Sequence, residues 1–216
     1  KINFNNLVYT FSKILTFINT YDQLPNYVSI TTWSNIINSS EGSSSEGSST
    51  SSDISFTSDQ INNAAYKVKV FTEKYSRLPG YVIIGDTQVT MPQFLKLMVQ
   101  NIININNGIS TSVTLETFDD PKYTNSTETV TSGNLTSSDY VTLAKQINSY
   151  INKYGITTSS ATTTLGKINF NNLVYTFSKI LTFINTNDQL PSYVSITTWS
   201  SIVNSSEGSS SEGNST

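Results

Sequence analysis

Residues 1–50 of this 216-residue chain return as residues 167–216, with 45 of 50 positions identical. The five differences are Tyr21 to Asn187, Asn26 to Ser192, Asn35 to Ser201, Ile37 to Val203 and Ser48 to Asn214. Self-similarity at a fixed offset marks a repeat architecture and narrows the available folds. Each copy must fold the same way, or be completed by the same kind of neighbour. The offset is 166 residues (167 minus 1), about one domain. We therefore expect an excerpt of a longer tandem array, holding one full period and part of the next.

Looser repeats lie inside that period. In residues 57–105, Ile61, Ala64, Ala65, Val68, Phe71 and Tyr75 recur at helical spacing, and so do Met91, Phe94, Leu95, Met98, Ile102 and Ile105. Thr57 and Gln60 suit a capping box, and Pro92 is tolerated in a first turn. Between these stripes, Pro79 stops a helix, Gly80 permits a turn, and "YVIIGDTQVT" is β-rich around a candidate Gly85-Asp86 turn. Residues 135–186 repeat the plan. Tyr140, Leu143, Ala144, Ile147, Tyr150/Ile151 and Tyr154 predict one apolar face; Phe170, Leu173, Phe177, Ile180/Leu181 and Ile184 predict a second.

The predicted fold class is α+β: tandem small helix–extended hairpin–helix repeats joined by Ser/Gly-rich linkers. The divisions are a partial repeat at 1–37, a Ser/Gly/Glu linker at 38–53 and a full repeat at 54–108. A Thr/Ser-rich connection follows at 109–134, as two strands plus a loop or as a partly ordered link. A degenerate repeat at 135–203 shares helix 170–186 with a following partial repeat, and 204–216 is again linker. On this plan helix 170–186 is partnered by residues 139–154. Its copy at 4–18 then needs a similar aromatic-rich helix against Phe4, Phe11 and Ile18, from preceding sequence or from another chain.

One motif occurs three times, while the middle of 135–186, "YGITTSSATTTLGKI", is an extended connection that has lost Leu-Pro. "DQLPNYVSITTW" (22–33) returns as "DQLPSYVSITTW" (188–199), and a looser copy, "SRLPGYVIIGDTQV", sits at 76–89. Leu24, Pro25 and Val28, with Leu78, Pro79, Gly80 and Val82 and with Leu190, Pro191 and Val194, form its structural frame. Leu packs, Pro ends a helix and Val starts a strand on the core. The Tyr of each copy, Tyr27, Tyr81 and Tyr193, is a candidate platform for a sugar face or a peptide methyl. Trp33 and Trp199 are candidates too, as stacking rings or as buried caps.

Composition excludes much chemistry. The chain has no His and no Cys, which removes the usual general base, the commonest metal ligand, thiol nucleophiles and disulfides. Only 12% of residues are charged and the net charge is −3, so no basic stripe recommends a nucleic-acid partner. No apolar run has the length of a membrane span. Asp119-Asp120 with Glu116 lacks the ordered spacing of a Ca²⁺ loop. No cofactor, metal or enzymatic activity is expected. Five Asn-x-Ser/Thr sequons, at Asn38, Asn125, Asn134, Asn204 and Asn214, are candidate glycosylation sites in polar loops.

The combination of A-x-x-V-x-x-F, L-P-x-Y-V-x-I-x-G and a Met-Pro-Gln-Phe-Leu helix start resembles the pseudomurein-binding repeat. That repeat occurs in surface proteins and wall-lytic enzymes of methanogenic archaea. The fullest match is "AAYKVKVFTEKYSRLPGYVIIGDTQVTMPQFLKL" (64–97); residues 10–30 and 176–196 match its front half, and 140–175 its helices alone. The resemblance implies an exported, non-catalytic, multivalent binder of the wall polymer pseudomurein at the cell surface. The other reading is structural, an adhesin stalk or self-assembling extracellular filament whose repeats bind one another.

Overall fold

The computed structural model describes residues 54–204, together with Phe11 and Ile14, both helical. The chain divides into two units, Lys1–Ser52 and Asp53–Thr216, and every element below lies in the second. Tyr27, Trp33, the frame residues Leu24, Pro25 and Val28, and the sequons at Asn38 and Asn214 lie outside the described residues. So do Phe4 and Ile18; Phe11 is exposed.

The elements run β1 (Ser55–Phe56), α1 (Ser58–Tyr75), β2 (Tyr81–Ile84), β3 (Thr87–Thr90), α2 (Met91–Asn106) and β4 (Val113–Thr114). They continue with β5 (Gly133–Thr136), α3 (Ser137–Tyr154), β6 (Ser160–Thr163), β7 (Gly166–Asn169), α4 (Phe170–Asn187), β8 (Tyr193–Ile196) and α5 (Trp199–Asn204). The architecture is α+β. From α1 to α2, and again from α3 to α4, the helix starts are 33 residues apart (58 to 91 and 137 to 170).

The helix starts follow from their caps. Thr57 and Gln60 form a reciprocal capping box on α1, Thr90 and Gln93 on α2, and Thr136 and Asp139 on α3. Each box satisfies two backbone groups that the helix itself leaves open. Asn169 caps α4 by accepting from the Asn172 amide. The Asp139 carboxyl is held below its usual range by the bond from the Thr136 hydroxyl, then by the Thr136 backbone N–H. At the other ends, α1 and α4 stop at Ser76 and Asp188, both left-handed with φ 54° and ψ 28°. The helix stop is therefore set three residues before each proline, and Leu-Pro follows a chain that has already turned.

Among the described residues there are four two-stranded sheets, all antiparallel. β2 pairs with β3 through the Gly85-Asp86 turn, where Gly85 takes φ +61°, a value that suits glycine. β6 pairs with β7 across a Thr164-Leu165 turn that has no positive φ, and outer pairs β1–β4 and β5–β8 bracket each helix–hairpin–helix stretch. The third Leu-Pro-x-Tyr-Val copy thus starts no new hairpin: β8 returns to β5, upstream of α3.

The helix pairing corrects the partner expected for α4. It packs chiefly along α1, while α3 packs along α2. Tyr175 Oη donates to Glu73 Oε1 at 2.8 Å and Asn185 Nδ2 to Asn63 Oδ1 at 3.3 Å, so α1 and α4 run antiparallel. The reason is size and apolarity. The buried face of α1 is Ile61, Ala64, Ala65 and Val68, and two alanines let a neighbouring helix come close. α4 supplies the bulk: Leu173, Phe177, Ile180 and Leu181 are fully buried. α2 is buried all round from Phe94 to Val99 and forms the centre of the core, touching all three other long helices.

The 109–134 connection is ordered. β4 and β5 are its two strands, and the loop between them crosses the β6–β7 hairpin. Thr129 and Val130 amides donate to the Lys167 carbonyl at 2.9 and 3.1 Å, and Thr131 N–H to Leu165 O at 2.9 Å. Asp119 bridges to Ile156 through backbone bonds to Gly155 and Thr157.

Candidate functional site

In both described Leu-Pro-x-Tyr-Val copies the strand alternates. Val82 and Val194 face the core, while Tyr81 and Tyr193 point out and are 48% and 54% exposed. Leu78 and Leu190 are half-buried and pack against the core, and Pro191 is buried. Gly80 is exposed, and a Cβ there would meet nothing. The frame residues thus fix the backbone, and neither tyrosine ring is needed to fill the interior. Because α1 and α4 are antiparallel, the two tyrosines follow opposite ends of the pair, whose 18-residue helices are each roughly 27 Å long. They form two separate presentations, not one cleft.

Trp199 differs from both. It is 7% exposed and meets Tyr175 edge-on at 6.4 Å, so it caps the α1–α4 pair and offers no open face. Tyr175 is held by Glu73, and the Lys179 ammonium lies 4.9 Å over its ring. Burial, then the Glu73 bond, pushes the Tyr175 phenol far up. Burial pulls Lys179 down to about 8 against the attraction of Glu73, with Lys69 adding to the fall. Lys179 also donates to the Ser195 carbonyl.

A further aromatic surface lies on α3, where the sequence predicts an inward face. Ile147 and Ile151 carry that face; Tyr150 and Tyr154 are 41% and 57% exposed, with ring centroids 4.8 Å apart. Lys153 lies 5.0 Å over the Tyr154 ring. Thr142, Lys145, Gln146, Ser149, Tyr150 and Lys153 line a shallow open cleft of about 420 Å³. Their three- and four-residue spacing puts them on one helical face, which could have been read as a polar stripe with aromatic members. A tyrosine's amphipathic ring fits either face, and helical periodicity alone does not decide between them.

Two polar clusters are structural. Lys96 is 2% exposed in the middle of α2, and its ammonium donates to Asn148 at 2.7 Å and to Asn152, with Glu116 3.5 Å away. Burial lowers its pKa, and Glu116 opposes that. This cluster ties α2 to α3. Glu128, in the polar connection, accepts from the Asn169 amide at 3.0 Å, Asn172 Nδ2 at 2.8 Å and the Trp199 amide at 2.5 Å. One carboxylate thereby binds β7, α4 and the start of α5. Composition marks this stretch only as a Thr/Ser-rich connection, so the residue escapes a sequence reading.

The sequons fall in mixed settings. Asn125 is exposed, in a loop, and accepts from Asn169 Nδ2 at 3.1 Å. Asn134 is exposed within β5 and accepts from Ser195 at 2.8 Å; Asn204 is the exposed last residue of α5. The polar-loop expectation therefore holds at Asn125 and fails at the other two. Among the described residues no cluster of acidic groups could hold a metal ion, and no helix is long and apolar enough to cross a membrane. Comparison of the chain with protein-family models, curated proteins and solved structures finds no match.

Proposed function

We propose that the chain is part of a tandem array of helix–hairpin–helix repeats that grips a cell-wall polymer through many weak, aromatic contacts. The observation that carries this reading is the exposure of Tyr81 and Tyr193 beside buried Val82 and Val194. A large ring held in water at the same place in two motif copies suits stacking on a sugar face or a peptide methyl. Tyr150 and Tyr154, with Lys145 and Lys153, supply a second kind of surface for an amino-sugar polymer cross-linked by peptides. Trp199 has no part in it. The wall polymer expected from the Leu-Pro-x-Tyr-Val resemblance is pseudomurein, with the array exported to the cell surface. No catalytic step is proposed. Several such units on Ser/Gly-rich linkers would gain retention through effective concentration.

The test is retention on purified pseudomurein, with bacterial murein as the comparison. Wild type should be retained on pseudomurein, and Y81A/Y193A should lose most of that retention while keeping its thermal midpoint. Absence of wild-type retention, or full retention by the double variant, would sink the reading.

A further inference from the structure

Lys96 sits in the middle of α2, 2% exposed, between the fully buried Leu95 and Leu97. Its ammonium donates to Asn148 Oδ1 at 2.7 Å and to Asn152 Oδ1, both on α3, and Glu116 Oε2 lies 3.5 Å away. Keeping a cation out of water is costly, and two neutral amides offset that cost poorly. The fold does not demand a cation here. Lys96 is the sixth residue of α2, and Asn148 and Asn152 are the twelfth and sixteenth of α3; the same positions of α4 and α1 hold Tyr175, Lys69 and Glu73. There the Tyr175 phenol donates to Glu73 Oε1 at 2.8 Å, and the partly exposed Lys69 pairs with Glu73 Oε2. The α2–α3 contact instead sets a primary amine against two carboxamides, with a carboxylate beside it.

That set holds every group one reaction needs. A primary amine is a nucleophile once it loses a proton, and burial disfavours the protonated form of Lys96. Asn148 offers the electrophile. Its Oδ1 is 2.7 Å from Nζ, and a C=O bond of about 1.23 Å then keeps its Cγ within about 3.9 Å of the amine. Asn148 is half-buried and Asn152 exposed, so Asn148 is the more firmly held amide. Groups fixed near attack distance gain effective molarities that reach about 10⁵ M or more. The Glu116 carboxylate, half in water, is the nearby proton acceptor.

We propose that Lys96 and Asn148 form an intramolecular isopeptide bond that joins α2 to α3, with Glu116 as the proton acceptor. Glu116 takes one proton from the ammonium. The freed lone pair of Nζ attacks Asn148 Cγ, and the Cγ–Nδ2 bond breaks as a second Nζ proton passes to the departing nitrogen. That nitrogen leaves as ammonia, collects the proton held by Glu116 and diffuses away as ammonium. The third proton stays on Nζ as the N–H of the new amide, facing Asn152 Oδ1. Atoms and charge balance with no added reactant: the protein loses one cation and releases one. A buried cation becomes a neutral amide, and a chain without cysteine gains a covalent tie across its core. This inference is independent of the wall-binding reading.

The test is mass spectrometry of the purified full chain after incubation in mildly alkaline buffer. The intact mass should fall below the sequence value by one ammonia. Trypsin should then yield a branched peptide in which residues 78–122, uncut at Lys96, are joined to residues 146–153, with fragment ions placing the bond at Asn148. Succinimide formation at Asn107-Gly108 also releases ammonia, so the branched peptide is the deciding readout. E116Q, a change at an exposed side chain, should keep the wild-type circular dichroism and slow branch formation by roughly a hundredfold. Folded wild type that is cut normally at Lys96, with residues 146–153 recovered unbranched, overturns the proposal. So does branch formation in E116Q at the wild-type rate.

Discussion

The phenol of Tyr140 donates a 2.6 Å hydrogen bond to the carbonyl oxygen of Pro191. It joins the first turn of α3 to the Leu-Pro corner that follows α4, and the ring is fully buried. The Ser137 amide supports the same corner by donating to the Ser192 carbonyl at 2.9 Å. Y140F keeps the packing but leaves that proline carbonyl without its donor. We expect a loss of about 1–2 kcal/mol in urea unfolding, with an unchanged m-value.

Glu128 should be as sensitive to a conservative change as to a drastic one. Its Oε1 accepts from Asn169 and Asn172 and its Oε2 from Trp199, so both oxygens face donors. E128Q must turn an amide NH2 toward an N–H group and should destabilise about as much as E128A, on the order of 2–3 kcal/mol. Denaturation of the two variants side by side checks this. A glutamine variant of wild-type stability would show that the charge and both oxygens are dispensable.

Stability should rise with pH in the weakly alkaline range. Lys67, Lys96 and Lys179 all have lowered pKa values when folded, chiefly through burial. Between the folded Lys179 value of about 8 and its ordinary 10.5, the unfolded chain binds more protons, so raising the pH favours the fold. Tyr140, pushed up to about 12 by burial, and Tyr175, pushed up by burial and Glu73, work the other way above about 10, because the unfolded phenols ionise first. Thermal midpoints should therefore climb from pH 8 toward 10 and fall beyond it. In K179M, which leaves Glu73 and Lys69 facing a neutral side chain, the climb should be shallower; an identical slope would contradict the assignment.

Gly166 takes φ +117°, and a Cβ there would lie 2.5 Å from the Thr129 carbonyl oxygen. The connection crosses the hairpin at this point, and backbone against backbone cannot yield cheaply. G166A should cost about 3 kcal/mol or more through strain and a displaced strap. G80A, which meets open space, should stay within about 0.5 kcal/mol of wild type. Comparable losses from both would mean that the close approach is not limiting.

The local features were legible because short-range chemistry fixes them. The Thr57–Gln60 box, the Gly85-Asp86 turn, Pro92 in a first turn and the four apolar stripes are encoded within a few residues of where they act. The pairing of α4 with α1 was not legible. Two stripes of similar width can each satisfy a third, and the small Ala64 and Ala65 of α1 suit the bulky Leu173 and Phe177 of α4 only once the chain is folded. Ser76 and Asp188 in left-handed caps were hidden by the more conspicuous prolines three residues later. At the candidate site, Tyr81 and Tyr193 were recognisable as tyrosines of a motif, whereas Tyr150 and Tyr154 were absorbed into a predicted core. An aromatic ring at a stripe's margin is compatible with either side of it.

The outer strand pairs have a mechanical consequence. In β5–β8 the first residue of one strand, Gly133, faces the last residue of the other, Ile196, and in β1–β4 Ser55 faces Thr114. Tension that separates either pair from that open end strains the hydrogen bonds one after another. Such a pair peels at low force, whereas a sheared pair resists until many bonds fail together. Under tension, these short pairs should give way before the buried helices do. The fold would then lengthen first by small, recoverable steps at its strand ends, while the helical core stays intact.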